Sequence, residues 1–140
     1  MTAINAYLTF NGNCREAMEF YNECIGGQLT VHTFENSPMA EKMPEEARKG
    51  VMHANIIKDH LVLMASDGGG MEDKLIQGNT ISLSLNCESD EDIETCYNKL
   101  SAGGTIILPL GDQFWGAKFG MFTDKYGFHW MLNYDKTPKP

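Results

Sequence analysis

Apolar and polar residues alternate from Ile4 to Phe10, a stretch rich in β-formers, which predicts a strand. Asn11-Gly12-Asn13 breaks it. Beyond the break the period changes: Ala17, Phe20, Tyr21, Cys24 and Ile25 recur at helical spacing and form one apolar stripe. Asn13, with Glu16 three residues on, predicts the helix start as an N-cap with its capping-box partner. Gly26-Gly27 ends the helix, because glycine takes the left-handed conformation there at little cost. Gln28 to Phe34 predicts a second strand.

The same grammar returns later in the chain. In Thr80 to Leu85, Thr80, Ser82 and Ser84 fall on one face and Ile81, Leu83 and Leu85 on the other. Ser89 with Asp92 starts a helix whose stripe is Ile93, Cys96, Tyr97 and Leu100, giving helices at about Asn13–Ile25 and Ser89–Ala102. Gly103-Gly104 stops the second helix, and Thr105 to Leu110 is the next strand. Asn5 to Thr80, Phe20 to Cys96, Tyr21 to Tyr97 and Gly26 to Gly103 are separated by the same distance to within two residues. Three elements in order at a near-constant offset indicate a duplicated unit.

A hairpin follows each second strand. Val51–Ile57 and His60–Ser66 flank Lys58-Asp59, a two-residue turn without the favoured glycine. Ala117–Thr123 and Phe128–Asn133 flank Asp124-Lys125-Tyr126-Gly127, a stronger turn signal. Each half is then β-α-β-β-β. Residues 35–49, with Pro38 and Pro44, read as a loop with a short helix near Glu45 to Lys49. The expectation is an α+β fold in one domain over 1–140, with module one at about 1–67, a linker at about 68–78 around Gly68-Gly69-Gly70, and module two at about 79–135. Pro138 and Pro140 mark a frayed tail.

A chain of 140 residues can bury an ordinary core without disulfides or a structural metal. Eleven Lys and Arg against nineteen Asp and Glu give a net charge of −8, which repels a phosphate backbone and argues against nucleic acid as a partner. The longest apolar run, Leu61 to Ala65, is far short of the ~20 residues of a membrane span. Met1-Thr2-Ala3-Ile4 has no basic segment with an apolar run behind it, so no signal peptide and no membrane association are expected. Cys14, Cys24, Cys87 and Cys96 form no CxxC and no zinc-finger spacing, which favours reduced structural thiols and a cytoplasmic location over a disulfide pair.

Several strings carry a resemblance. Tyr7-Leu8-Thr9-Phe10-Asn11-Gly12-Asn13 is followed by Glu16-Ala17 and Phe20-Tyr21. Later come Met52-His53-Ala54, Leu63-Met64-Ala65-Ser66-Asp67, Phe114-Trp115-Gly116 and Asp124-Lys125-Tyr126-Gly127-Phe128-His129-Trp130. With the two βαβββ modules, they resemble the PhnB-like branch of the vicinal oxygen chelate superfamily, which includes glyoxalases, extradiol dioxygenases and bleomycin-resistance proteins. The resemblance covers essentially the whole chain. It implies a curved mixed sheet around a cleft, helices outside, and a homodimer. Members of the branch often carry a demethylubiquinone methyltransferase label; nothing here supports that chemistry, since no glycine-rich βα turn is placed to hold a nucleotide-like cofactor.

Metal-dependent members of the superfamily place His, Glu or Gln on the first and last strands of each module. Aligned to that pattern, this chain has Asn5, Met64, Thr80 and Met131, and a one-residue slip brings Ala6, Ala65, Ile81 and Leu132 or Trp130. Thioethers and weak oxygen donors do not suit a hard or borderline cation. No metal at that site and no cofactor are therefore expected. Counting outward from the Lys58-Asp59 turn pairs Ile57 with His60 and His53 with Met64, on one face with Asn55 and Val62. The same count in the second hairpin pairs Phe122 with His129 and Gly120 with Met131.

His53 is thus the catalytic candidate, as general base or ligand-orienting donor, with a structural histidine as the alternative. His129 reads as structural, and His32 and His60 as surface positions. Asp67 either accepts from a ligand or caps the linker, and Asp124 starts a turn. Trp115 closes over an apolar ligand or anchors its loop. Met64 and Met131 offer a soft lining suited to binding, or ordinary core filling. The expected ligand surface is Asn5, Tyr7, His53, Met64, Ser66, Thr80, Ser82, Trp115, Met131 and Asn133. The function expected is metal-free small-molecule binding. The alternatives are a metal-dependent lyase, isomerase or dioxygenase, and a dimer that acts through a partner.

Overall fold

Two chain segments fold by the same recipe, and the computed structural model describes them over residues 2–68 and 75–136. The chain divides into two compact units, Met1–Ile76 and Gln77–Pro140. The first contains β1 (Ala6–Phe10), α1 (Cys14–Ile25), β2 (Gln28–Thr33), β3 (Val51–Lys58) and β4 (Leu61–Asp67). The second contains β5 (Leu83–Asn86), α2 (Asp90–Ser101), β6 (Thr105–Asp112), β7 (Ala117–Thr123) and β8 (His129–Asp135). The sheet orders are β1-β4-β3-β2 and β5-β8-β7-β6, so both units share one topology: an α+β fold with two open mixed sheets. In each, the first strand runs parallel to the last and the other pairs are antiparallel.

In the first unit the inward parity is set by Leu8, Phe10, Ala54, Ile56, Leu63 and Ala65, all buried. Against them α1 lays Ala17, Met18, Tyr21, Cys24 and Ile25. Met18, rather than Phe20, completes the stripe. The left-handed Gly26, at φ 83°, ends α1 and donates its N–H to the Asn22 carbonyl at 2.7 Å. The start differs from the capping-box expectation: Asn13 makes no side-chain cap bond. Buried Asp67, at the end of β4, serves instead, accepting from Cys14 N at 3.0 Å and from Val51 N at 2.8 Å. Neither alternative foreseen for Asp67, linker cap or ligand acceptor, describes this tie between helix and sheet.

The second unit buries Ile93, Cys96, Tyr97 and Leu100 of α2, the expected stripe, against Phe122, Trp130 and Leu132. Ser89 caps α2 as expected, accepting from Asp92 N at 3.0 Å. Gly120 faces the helix so closely that a Cβ there would lie 2.7 Å from Tyr97 Cε2. Lys118 on the same side reaches Asp90 at 3.3 Å and Glu94 at 2.5 Å on α2.

Several boundaries move from the sequence expectation. β1 starts at Ala6 and β5 at Leu83, so Asn5, Thr80 and Ser82 precede their strands, and Ile81 is 80% exposed rather than packed under the helix. β6 runs on through Pro109 to Asp112, with register shifts that absorb the irregular stretch. Residues 34–49 hold three short 3₁₀ turns, of which Ala47–Lys49 is the expected short helix. The middle of the expected linker, 69–74, and the proline tail, 137–140, lie outside the described residues.

Both hairpins close differently. In the first, Lys58 pairs with Leu61 and Asp59-His60 forms the loop, with Asp59 at φ 52°, a left-handed conformation aspartate tolerates. Met64 therefore opposes Asn55, not His53. In the second, Thr123 pairs with His129 across a five-residue loop, so Met131 opposes Met121 rather than Gly120, and Phe122 opposes Trp130 rather than His129.

Candidate functional site

Strand parity gives each sheet a helix-covered face and an open one. On the open face of the first unit, Tyr7, Met64, Asn55 and Thr30 form one row across β1, β4, β3 and β2. Thr9 opposes Ser66, and His53 opposes His32, at the adjacent positions of the same parity. Tyr7 is 47% exposed. Its Oη lies 3.5 Å from His53 Nδ1, with the rings tilted at 39° and centroids 5.8 Å apart. His53 and Met64 thus share the open face, as parity requires, but His53 contacts Tyr7 and is not Met64's cross-strand partner.

A β-bulge adjoins His53. The register steps from His32–His53 to Thr33–Val51, leaving Met52 as the extra residue. Both Met52 and His53 are partly exposed between inward Val51 and Ala54. A bulge bends its strand and re-aims neighbouring side chains.

On the open face of the second unit, Ser84, Met131, Met121 and Leu108 form one row. Asn86, Asn133, Phe119 and Gly111 form the next. Trp115, half exposed, stands edge-on to Phe119 at 5.8 Å, and Phe114 stands edge-on to Trp115 at 5.1 Å. Phe119 and Met121 were missed in the sequence because the four-residue turn gave β7 the wrong parity. Gly127, left-handed at φ 91°, lies at the fourth position of the loop and marks the turn without fixing its length.

His129 is held on both sides. Its Nε2 is 3.3 Å from the Gly78 carbonyl, which can only accept, so Nε2 carries the proton and Nδ1 accepts from the Thr123 hydroxyl at 2.8 Å. That matches its structural reading. Cys14 is fully buried, and burial, reinforced by the Asp67 charge, pushes its thiol up to about 12. It is a packing residue rather than a nucleophile at neutral pH.

The four positions where the superfamily's metal would be held carry an amide at Asn5, a hydroxyl at Thr80 and thioethers at Met64 and Met131. Asn5 and Thr80 also fall outside the strands that would fix them. This donor set does not fit a hard or borderline divalent cation. Among the described residues, no group of three or more His, Cys, Asp or Glu is arranged to hold a metal, and no helix is long and apolar enough to cross a membrane.

Twice-repeated βαβββ topology, with the helix on one face of each sheet, defines the class as a duplicated α+β fold. The chain belongs to the Glyoxalase/Bleomycin resistance protein/Dioxygenase superfamily, whose family model matches residues 3–132. It is similar to protein PA1353 from Pseudomonas aeruginosa, with 38% identity, a TM-score of 0.82 and coverage of 98% of this chain and 100% of that one. The Bacillus cereus PhnB protein, described as a putative 3-demethylubiquinone-9 3-methyltransferase, is 28% identical, with a TM-score of 0.70 over 95% of this chain and 99% of that one. Protein YjdN of Escherichia coli strain K12 is 28% identical over 93% of each chain.

Proposed function

We propose that this protein binds a small organic molecule on the open faces of its sheets, without a metal at the superfamily's four positions. The observation that carries the reading is the replacement of metal ligands by methionines on those faces. Met64 sits beside Tyr7 and Asn55, and Met131 beside Met121 and Ser84. Thioether, phenol, amide and indole groups form a soft, partly polar lining suited to binding rather than to Lewis-acid chemistry. Within this reading Tyr7, His53, Met64 and Ser66 contribute from the first unit, and Trp115, Met131 and Asn133 from the second, with Asn5, Thr80 and Ser82 at the strand entrances. Methyl transfer is not part of it, because the β1–α1 turn carries only Gly12 and lacks the glycine-rich form that cradles a nucleotide-like cofactor.

The working form in this proposal is a cytoplasmic homodimer. Support comes from Ile106 and Ile107 on edge strand β6, 45% and 55% exposed, which an isolated sheet leaves bare. Four cysteines outside any disulfide suit a reducing compartment.

A second reading rests on the Tyr7–His53 contact at 3.5 Å: an enzyme of lyase, isomerase or dioxygenase type in which His53 is the general base. Native mass spectrometry of untagged protein, with elemental analysis, separates the two. A dimer carrying a small organic adduct, with the adduct lost in His53→Ala or Trp115→Ala, is expected. Stoichiometric Fe, Mn, Ni or Zn that disappears in Met64→Ala or Met131→Ala would overturn the binding reading.

A further inference from the structure

We infer that His32 and His53 form a two-histidine site for a borderline divalent transition metal such as Zn²⁺, Ni²⁺ or Cu²⁺, distinct from the superfamily's four positions. The two residues are direct cross-strand partners in the antiparallel β2–β3 pair. Directly opposed residues on one face have Cβ atoms about 4.5–5.5 Å apart, close enough for two imidazoles to converge on one ion at ~2.0–2.1 Å per bond. Imidazole nitrogen is the donor these ions prefer.

Three further observations point the same way. The bulge at Met52 falls beside this pair, where it bends the strand and re-aims His53. His53 Nδ1 already has an oxygen partner, the Tyr7 Oη at 3.5 Å. A ligating histidine commonly uses its second ring N–H in this way, so Nδ1–H donating to Tyr7 leaves the Nε2 lone pair for the metal. His32 is exposed, and its ring makes no hydrogen bond or ring contact with any described residue. A rotamer change of that ring breaks no hydrogen bond or ring contact to a described residue and occurs on the ps–ns timescale. Water fills the remaining coordination positions, and no covalent or redox step is involved.

The test is titration of untagged protein with NiCl₂ and ZnCl₂ by calorimetry, together with Cu²⁺-induced line broadening in the ¹H–¹⁵N spectrum. The expected result is one ion per chain, with broadening centred on His32, His53 and Tyr7. In His32→Ala and in His53→Ala, affinity should fall at least about tenfold, the lower end of what losing even an outer-shell partner costs a metal site. His32→Ala changes only an exposed side chain, so its circular dichroism is expected to match wild type, which separates lost binding from lost folding. His60→Ala, at the exposed hairpin loop, should leave affinity unchanged. Affinity unchanged in either His32→Ala or His53→Ala, or broadening centred on the N-terminal amine, His60 or His129, would overturn the inference. The proposed binding of an organic ligand is read separately, since a metal lost in His32→Ala says nothing about Met64 or Met131.

Discussion

Asp124 holds the loop that sets the register of β7 against β8, and so which residue opposes Met131, and removing its carboxylate tests that argument. The side chain is 3% exposed. Its Oδ1 accepts from Tyr126 N at 2.8 Å and Phe128 N at 3.1 Å, and its Oδ2 accepts from the Trp130 indole at 2.7 Å. In Asp124→Ala the two loop amides gain access to water, so each loses only about 0.5–1.5 kcal/mol of net hydrogen bonding. The indole N–H, in a residue only 3% exposed, loses its Asp124 acceptor, which costs a further ~1–3 kcal/mol. The total expected loss is about 2–6 kcal/mol, or a Tm lower by roughly 5–25 °C for a chain of this size.

Urea unfolding followed by far-ultraviolet circular dichroism measures it, with near-ultraviolet signals checking that both units report one transition. A double-mutant cycle with Trp130→Phe isolates the indole bond, because the phenyl ring keeps most of the packing and has no donor to strand. The expected coupling is about 1–3 kcal/mol, with Asp124→Ala costing less in the Trp130→Phe background. A loss below ~1 kcal/mol for Asp124→Ala, together with zero coupling, would refute the claim that this carboxylate organises the loop.

Two other consequences are open to simple measurement. In Gly120→Ala the new methyl would meet Tyr97 Cε2 at 2.7 Å and Leu110 Cα at 3.2 Å, so overpacking should destabilise the second unit by about 1–3 kcal/mol; a denaturation midpoint equal to wild type would contradict that placement. Cys14 is held neutral by burial, so its pKa rises from 9.0 to about 12, and above pH 9 the unfolded chain releases a proton that the folded chain retains. The stability it contributes is complete below pH 9 and is lost towards pH 12, at up to about 1.4 kcal/mol per pH unit; Cys14→Ala should flatten that part of the profile, and an identical alkaline slope would count against it.

Much of the fold was legible because it rests on local chemistry. The α2 stripe of Ile93, Cys96, Tyr97 and Leu100 is buried as its spacing requires, and Ser89 caps that helix. The left-handed Gly26 stops α1 for the same conformational reason read in the sequence. What escaped was long-range. Asp67 replaces Asn13 in supplying an acceptor to the start of α1, and those residues are far apart in the chain, so no local motif announces the tie. Asn5, Thr80 and Ser82 fit an alternating pattern, yet the ladders start beyond them, because pairing partners rather than alternation decide where a strand begins.

The two hairpin errors had unequal consequences, and the reason is arithmetic on parity. In the first hairpin the loop has the expected two residues and is merely displaced by one, from Lys58-Asp59 to Asp59-His60. Displacing a loop of constant length slides both strands together, so partners change while faces do not. His53 and Met64 therefore keep a common face although they are not opposite each other. In the second hairpin the loop itself gains one residue, and an odd change reverses one strand's face relative to the other. Trp130 and Leu132 had fixed β8 correctly by their burial, so the reversal fell wholly on β7. Gly120 moved to the helix side, where only glycine fits against Tyr97, and Phe119 and Met121 came to the open face beside Asn133 and Met131. The reach of a site inference from sequence is thus set by loop length: an error in position preserves the list of site residues, whereas an error in length rewrites half of it.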